Sequence, residues 1–130
     1  MVIWTNGCFD ILHRGHIEML QYARSLGNYL VVGLDSDERV RANKGVTRPF
    51  NTFKDRAFVL GALGCVDLAV SFDSDKRLAS IIKSLKPNIM VVGSDWRDKD
   101  VIGQEYAGEV RFFERVGDYS TTKIIGKCCE

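Results

Sequence analysis

Short β-branched apolar runs alternate along this chain with stretches of helical periodicity, and that alternation leaves few architectures open. Val2 to Thr5 and Tyr29 to Leu34 (YLVVGL) are compact apolar runs. Between them, Gly15 to Leu26 carries Ile17, Leu20, Ala23 and Leu26 at helical spacing. Leu68 to Phe72 and Asn88 to Val92 repeat the buried-strand pattern, separated by Lys76 to Leu85, where Leu78, Ile81, Ile82 and Leu85 mark one helical face. Asn51 or Thr52 can cap a helix running to about Leu63, Glu109 to Phe113 reads as a fifth strand, and Ser120 starts a last helix. Strands and helices in this order imply a parallel sheet covered on both faces and joined by right-handed crossovers. Ligands of such sheets bind beyond the carboxyl ends of the strands, at the switch in strand order. The segments after Thr5, Asp35 and Gly93 therefore converge on one crevice. Val40 to Thr52 (VRANKGVTRPFNT) is polar, basic and glycine-containing, which predicts a mobile loop over that crevice rather than a linker.

Composition removes several function classes. The chain has 130 residues, enough for one core and one domain, 1–130, with 45% hydrophobic and 27% charged residues. No apolar run approaches the roughly 20 residues that span a bilayer, and Val2, Ile3 and Trp4 follow the first residue without a secretory pattern. The expectation is a cytoplasmic protein without a membrane partner. A net charge of +1 leaves no broad footprint for nucleic acid, although a local group of cations can still bind a small anion. Cys8 and Cys65 stand alone and Cys128 and Cys129 are adjacent, a spacing that suits reduced thiols and not zinc.

The unusual residues follow the first strand. In Asn6-Gly7-Cys8-Phe9-Asp10-Ile11-Leu12-His13-Arg14-Gly15-His16, a strand gives way to a helix whose free amides attract anions. Gly15 lets a polyphosphate approach the main chain without a side-chain clash. If His13 and His16 both fall in the first turn, two imidazoles share a face and can donate to one triphosphate. The helix dipole opposes their protonation and a bound triphosphate favours it, so ligand and proton uptake are expected to be coupled. Ser120, Thr121 and Thr122 offer hydroxyls and amides at a second helix start, as a phosphate cradle or simply as caps.

The run TNGCFDILHRGH resembles the HxGH motif of cytidylyltransferase-like nucleotidyltransferases, and Tyr119-Ser120-Thr121-Thr122-Lys123-Ile124 resembles their STT motif. The likeness covers nearly the whole chain. It implies a single Rossmann-like doubly wound α/β domain with a five-stranded parallel sheet of order 3-2-1-4-5. The activity implied is transfer of a nucleoside monophosphate from a triphosphate to a phosphorylated acceptor. By the same resemblance, Ser120, Thr121 and Thr122 hold the β- and γ-phosphates while His13 and His16 face the α-phosphate. Gly7, Cys8, Phe9 and Gly15 are expected beside the nucleotide, and Gly93, Asp95 and Trp96 of the GSDW segment line the nucleoside pocket. Trp96 either stacks on the base or closes the core.

Such a reaction joins two anions, so cations must offset their repulsion and the charge on the leaving pyrophosphate. Lys44 and Arg56 stand at the family's lysine and arginine positions, Arg115 precedes the STT motif, and a guanidinium can grip a phosphate in two-pronged fashion. Each could also be a solvated surface cation. Asp10 and Asp37 are expected near the acceptor. Magnesium is expected to enter with the triphosphate, held by phosphate oxygens and waters, with no protein metal ligand. No side chain needs to act as a covalent nucleophile, because the acceptor phosphate is one, and Cys8 reads as a small buried hydrophobe.

Two substrate pairs fit. TNGCFDILH, RPFN and VLGALGCVDLAVSF are most similar to the heptose-1-phosphate adenylyltransferases, which use ATP. GSDW and the RVGDYSTTKI spacing also fit the glycerol-3-phosphate cytidylyltransferases, which use CTP, although Asp98 stands where those enzymes tend to have glycine. A catalytically silent nucleotide-binding module is the reading of another class. The resemblance also suggests a homodimer.

Overall fold

The computed structural model describes residues 1–114, 117 and 119–128. Its elements follow the strand and helix alternation. They are β1 (Val2–Gly7), α1 (Arg14–Ser25), β2 (Tyr29–Asp35), α2 (Asp37–Lys44), α3 (Phe53–Gly61), β3 (Leu68–Phe72), α4 (Asp75–Leu85), β4 (Ile89–Gly93), β5 (Glu109–Phe113) and α5 (Thr121–Cys128). Short 3₁₀ turns occupy Ser94–Trp96 and Gln104–Tyr106. All strand pairs are parallel and the order is β3-β2-β1-β4-β5, the expected one.

Side chains alternate across the sheet because successive residues of a strand point to opposite faces. Ile3, Leu30, Val32, Ile89 and Val91 join Leu20 and Ala23 of α1 and Leu60 of α3 in one core. Trp4, Val31 and Met90 join Leu78 and Ile82 of α4 in the other. Continuous apolar runs are what a sheet buried on both sides requires. Gly33 on β2 is dictated by this packing: a Cβ there would lie 2.6 Å from the Trp4 ring. Trp4 is fully buried, and its indole N–H donates to Asn6 Oδ1 at 2.9 Å.

The strand order also creates the crevice. β1 pairs with β2 along six positions, from Val2↔Tyr29 to Gly7↔Leu34, but with β4 only at Ile3↔Ile89 and Trp4↔Met90. Beyond that point β1 and β4 part, at the place where the chain switches from one half of the sheet to the other.

One expectation is corrected. The segment 40–52 is not a single mobile loop, because Val40 is buried in α2, which runs through Lys44. Ser36 caps α2 by accepting from the Arg39 amide at 3.2 Å, and Gly45 ends it at φ 108°, a value that favours glycine. Only residues 45–52 remain as a strap, and that strap is bonded down, as described below.

Candidate active site

Two hollows open at the carboxyl end of the sheet and share Gly7, Met19, Gly93 and Trp96. Gly7 and Gly93 are the last residues of β1 and β4, so both hollows sit at the switch point. The larger, about 410 Å³, is walled by the β1–α1 turn on one side and the start of α5 on the other. His13, His16, Ser120, Thr121 and Thr122 all line it, so the two motifs, more than 100 residues apart in sequence, face one space.

The histidines build the start of α1 as well as facing the cleft. His13 is the N-cap, its Nδ1 accepting from the Gly15 amide at 3.1 Å. His16 Nδ1 accepts from the His13 amide at 3.3 Å, closing a reciprocal capping box. A ring nitrogen that accepts an N–H carries no proton, so the neutral form of each ring is protonated on Nε2. Capping thus uses the acceptor nitrogen of each imidazole and fixes its donor on the opposite side of the ring. The rings stack, with centroids 3.8 Å apart and planes inclined by 22°. Gly15 is constrained here, since a Cβ would come within 3.0 Å of the His13 ring and 3.4 Å of Tyr119 Cβ.

The start of α5 is tied to the same turn. Ser120 caps the helix by accepting from the Lys123 amide at 3.0 Å, while Thr121 Oγ1 donates to the Ile11 carbonyl at 2.9 Å. Capping therefore accounts for Ser120, and Thr121 bridges the two phosphate-facing segments. Thr122 is exposed on the cleft wall.

Gly7, Cys8, Phe9, Asp10, Gly15, Lys44, Gly93, Asp95 and Trp96 also line the cleft. Trp96 is 48% exposed, so it does not close the core, and Lys99 Nζ lies over its ring at 5.5 Å from the centroid. Phe9 adopts a left-handed backbone at φ 49°, with its ring buried 5.1 Å from that of His16. Burial pushes the Cys8 thiol above its ordinary value, against the opposing pull of Arg56, so the group is a thiol and a poor nucleophile.

Asp10 is fully buried at the side chain and serves the strap. Oδ2 accepts from Arg48 Nε at 3.0 Å and the Phe50 amide at 2.7 Å, and Oδ1 accepts from the Asn51 amide at 2.8 Å. Burial pushes this carboxyl up, but the amides of Asn51 and Phe50 and the Arg48 guanidinium outweigh it and hold it below its usual value.

Arg56 and Asp37 do not line the cleft, which corrects the placement of Arg56 among the reacting groups and of Asp37 near the acceptor. Arg56 is 1% exposed. Its Nε donates to Asn51 O at 3.0 Å, one terminal nitrogen donates to both Cys8 O and Asp35 O at 2.9 Å, and the other donates to Asp37 Oδ1 at 2.7 Å. Asp37 Oδ1 also accepts from the Phe53 amide at 2.8 Å, fixing the start of α3. A guanidinium with four of its five donors committed to buried loops is a brace for those loops. Arg115 lies outside the described residues.

Sequence reasoning missed Arg48, which lines the cleft with Lys44. The RPFN string contains it, but nothing local marks a bond to a carboxylate 38 positions away. It also missed the smaller hollow, about 310 Å³, whose polar wall is Asn6, Asp35, Arg39 and Asn43. Arg39 is fixed there between Asp35 at 2.7 Å and Asp75 at 2.6 Å. Burial raises the Asp35 carboxyl, with the hydrogen bond from Arg39 opposing.

Among the described residues, no three His, Cys, Asp or Glu side chains gather as a metal site, and no helix is long and apolar enough to cross a membrane.

A sequence model of the family described as Cytidylyltransferase-like matches residues 4–127. The bifunctional protein HldE of Helicobacter pylori strain G27 is 49% identical over 126 residues, which are 97% of this chain and 27% of that protein. HldE of Campylobacter fetus subsp. fetus strain 82-40 is 51% identical over the same shares. The chain thus spans 27% of the length of these curated relatives. Among solved structures, the lipopolysaccharide core biosynthesis protein from Thermoplasma volcanium GSS1 superposes with a TM-score of 0.68 at 26% identity, covering 92% of this chain and 98% of that one. A pantothenate synthetase from Thermus thermophilus, at 17% identity and a TM-score of 0.56 over 90% of this chain and 56% of its own, shares the fold alone. With the family match spanning almost the whole chain and both motifs set on one cleft, this chain belongs to the cytidylyltransferase-like family of nucleotidyltransferases.

Proposed function

We propose that the chain transfers an adenylyl group from ATP to the phosphate of a sugar 1-phosphate, with heptose 1-phosphate as the acceptor, and releases pyrophosphate in the supply of cell-envelope precursors. The observation that carries this reading is the shared cleft of His13, His16 and Ser120–Thr122. An oxygen of the acceptor phosphate attacks the α-phosphorus, the new P–O bond forms as the bond to the β-phosphate oxygen breaks, and pyrophosphate leaves with the electron pair. The protein's part is alignment and charge stabilisation. Nε2 donors of His13 and His16 meet the α-phosphate, and the amides at the start of α5 hold the β- and γ-phosphates. Trp96 and Gly93 border the nucleoside. Magnesium would accompany the triphosphate and offset its charge; among the described residues no cluster of His, Cys, Asp or Glu is placed to hold it.

The smaller hollow supports a sugar as the acceptor body. Asn6, Asn43 and Asp35 offer amide and carboxylate groups suited to hydroxyls, and the Arg39 charge is already matched by two carboxylates, so a second phosphate gains little there. Strong likeness to the HldE proteins and to a lipopolysaccharide core biosynthesis protein supports the same acceptor class.

The test is pyrophosphate release with magnesium, pairing ATP and CTP with heptose 1-phosphate and glycerol 3-phosphate. Turnover of ATP with heptose 1-phosphate is expected. Preference for CTP with glycerol 3-phosphate would replace this substrate pair, and nucleotide binding without turnover of any pair would make the chain a silent nucleotide-binding module.

A further inference from the structure

Arg48 has a geometry that neither the motifs nor the family resemblance assigned. Its side chain is 12% exposed and held by one nitrogen only, Nε to Asp10 Oδ2 at 3.0 Å. Neither terminal nitrogen is bonded to another described residue, and neither is a buried atom lacking a partner. A guanidinium clamped through Nε presents its two terminal nitrogens as a fixed fork, the geometry that grips a phosphate with two parallel bonds.

Topology says which phosphate. Arg48 and Lys44 belong to the connection that follows β2, whereas Ser120–Thr122 follow β5. With order β3-β2-β1-β4-β5, the histidine turn after β1 lies between these two flanks. In-line displacement places attacking and leaving oxygens on opposite sides of the α-phosphorus. If the leaving pyrophosphate sits on the α5 flank, the attacking phosphate arrives on the flank of β2. Of the smaller hollow, the polar residues Asp35, Arg39 and Asn43 lie on that flank, while Val92, Gly93 and Trp96 close it from the side of β4.

We infer that Arg48, clamped by Asp10 and assisted by Lys44, is the residue that binds the phosphate of the acceptor. Asp10 does not touch the acceptor; it is a positioning residue acting through Arg48. The inference rests on the nucleotidyltransferase reading above but not on the identity of the sugar.

Two measurements test it. With ATP and heptose 1-phosphate, Arg48→Ala raises the KM for the acceptor about 10- to 100-fold, the scale of a lost charge-assisted pair, and leaves the KM for ATP within about twofold. Arg48→Lys, which cannot bond Asp10 and also fork, recovers only part of the loss. Separately, inorganic phosphate is titrated calorimetrically into protein saturated with a non-hydrolysable ATP analogue, and Arg48→Ala weakens its Kd by a similar factor. If the wild type does not turn over heptose 1-phosphate, the substrate proposal fails and the phosphate titration alone decides the role of Arg48. An unchanged phosphate Kd, or an equal loss of nucleotide affinity, overturns the inference. Asp10→Asn alone raises the acceptor KM by no more than Arg48→Ala does. A larger rise, in protein shown by its melting curve to be folded at the assay temperature, would mean that Asp10 meets the acceptor itself and overturn its positioning role.

Discussion

Removing the Arg56 guanidinium should unfold the protein more readily before it alters any chemical step. The side chain is 1% exposed and ties three carbonyls, of Cys8, Asp35 and Asn51, to the Asp37 carboxylate. Those groups belong to the β1–α1 turn, the end of β2, the strap and the start of α2, so one residue joins the four segments around the cleft. Breaking a buried charged network by deleting one member costs about 3–5 kcal/mol, because the remaining polar groups stay buried without donors. That is a large part of the ordinary 5–15 kcal/mol of a domain. At this chain length 1 kcal/mol moves Tm by roughly 3–5 °C, so Arg56→Ala should lower it by about 10–25 °C. Arg56→Met, which restores bulk without donors, should recover less than half of the loss. Thermal and urea unfolding with and without ATP measure this, alongside kcat at a temperature where each variant is folded. An Arg56→Ala protein melting within about 2 °C of the wild type, yet without turnover, would refute the reasoning and return Arg56 to the reacting groups.

Three further outcomes follow from the site. His13→Asn keeps a good N-cap but removes the ring donor, so kcat should fall about 10²- to 10³-fold while the urea midpoint barely moves; a parallel fall in both would show that capping alone mattered. The folded-state carboxyl of Asp10 is lowered, so its contribution to stability is present above its unfolded value of about 3.9 and is lost as pH falls through the lower folded value. Stability of the wild type should thus drop more steeply below about pH 4 than that of Asp10→Asn, as read by urea midpoints across pH; equal slopes would contradict it. Gly33→Ala should cost about 1–3 kcal/mol through overlap with the Trp4 ring, and a neutral change in Tm would show that the ring can yield.

The local parts of the site are legible in the sequence because their chemistry is local. His13 and His16 occupy the N-cap and third position of one helix, a relation set by spacing of three residues after a strand. Ser120 likewise caps the helix that its hydroxyl announces. Charge alone misleads: Lys44 and Arg56 are both cations on a basic stretch, yet one lines the cleft and the other is sealed beneath it. A side chain's partners across 21 or 48 positions leave no trace in its neighbours.

From its residues alone, then, this chain determined a parallel strand–helix alternation and two helix starts suited to phosphate, because periodicity and capping act over a few positions. Only the folded sheet decided that those helix starts share a cleft, that Arg56 braces its loops, and that Asp10 clamps Arg48 at its edge. Those relations are made by contacts between segments far apart in the chain, and their energies depend on burial that no local pattern carries.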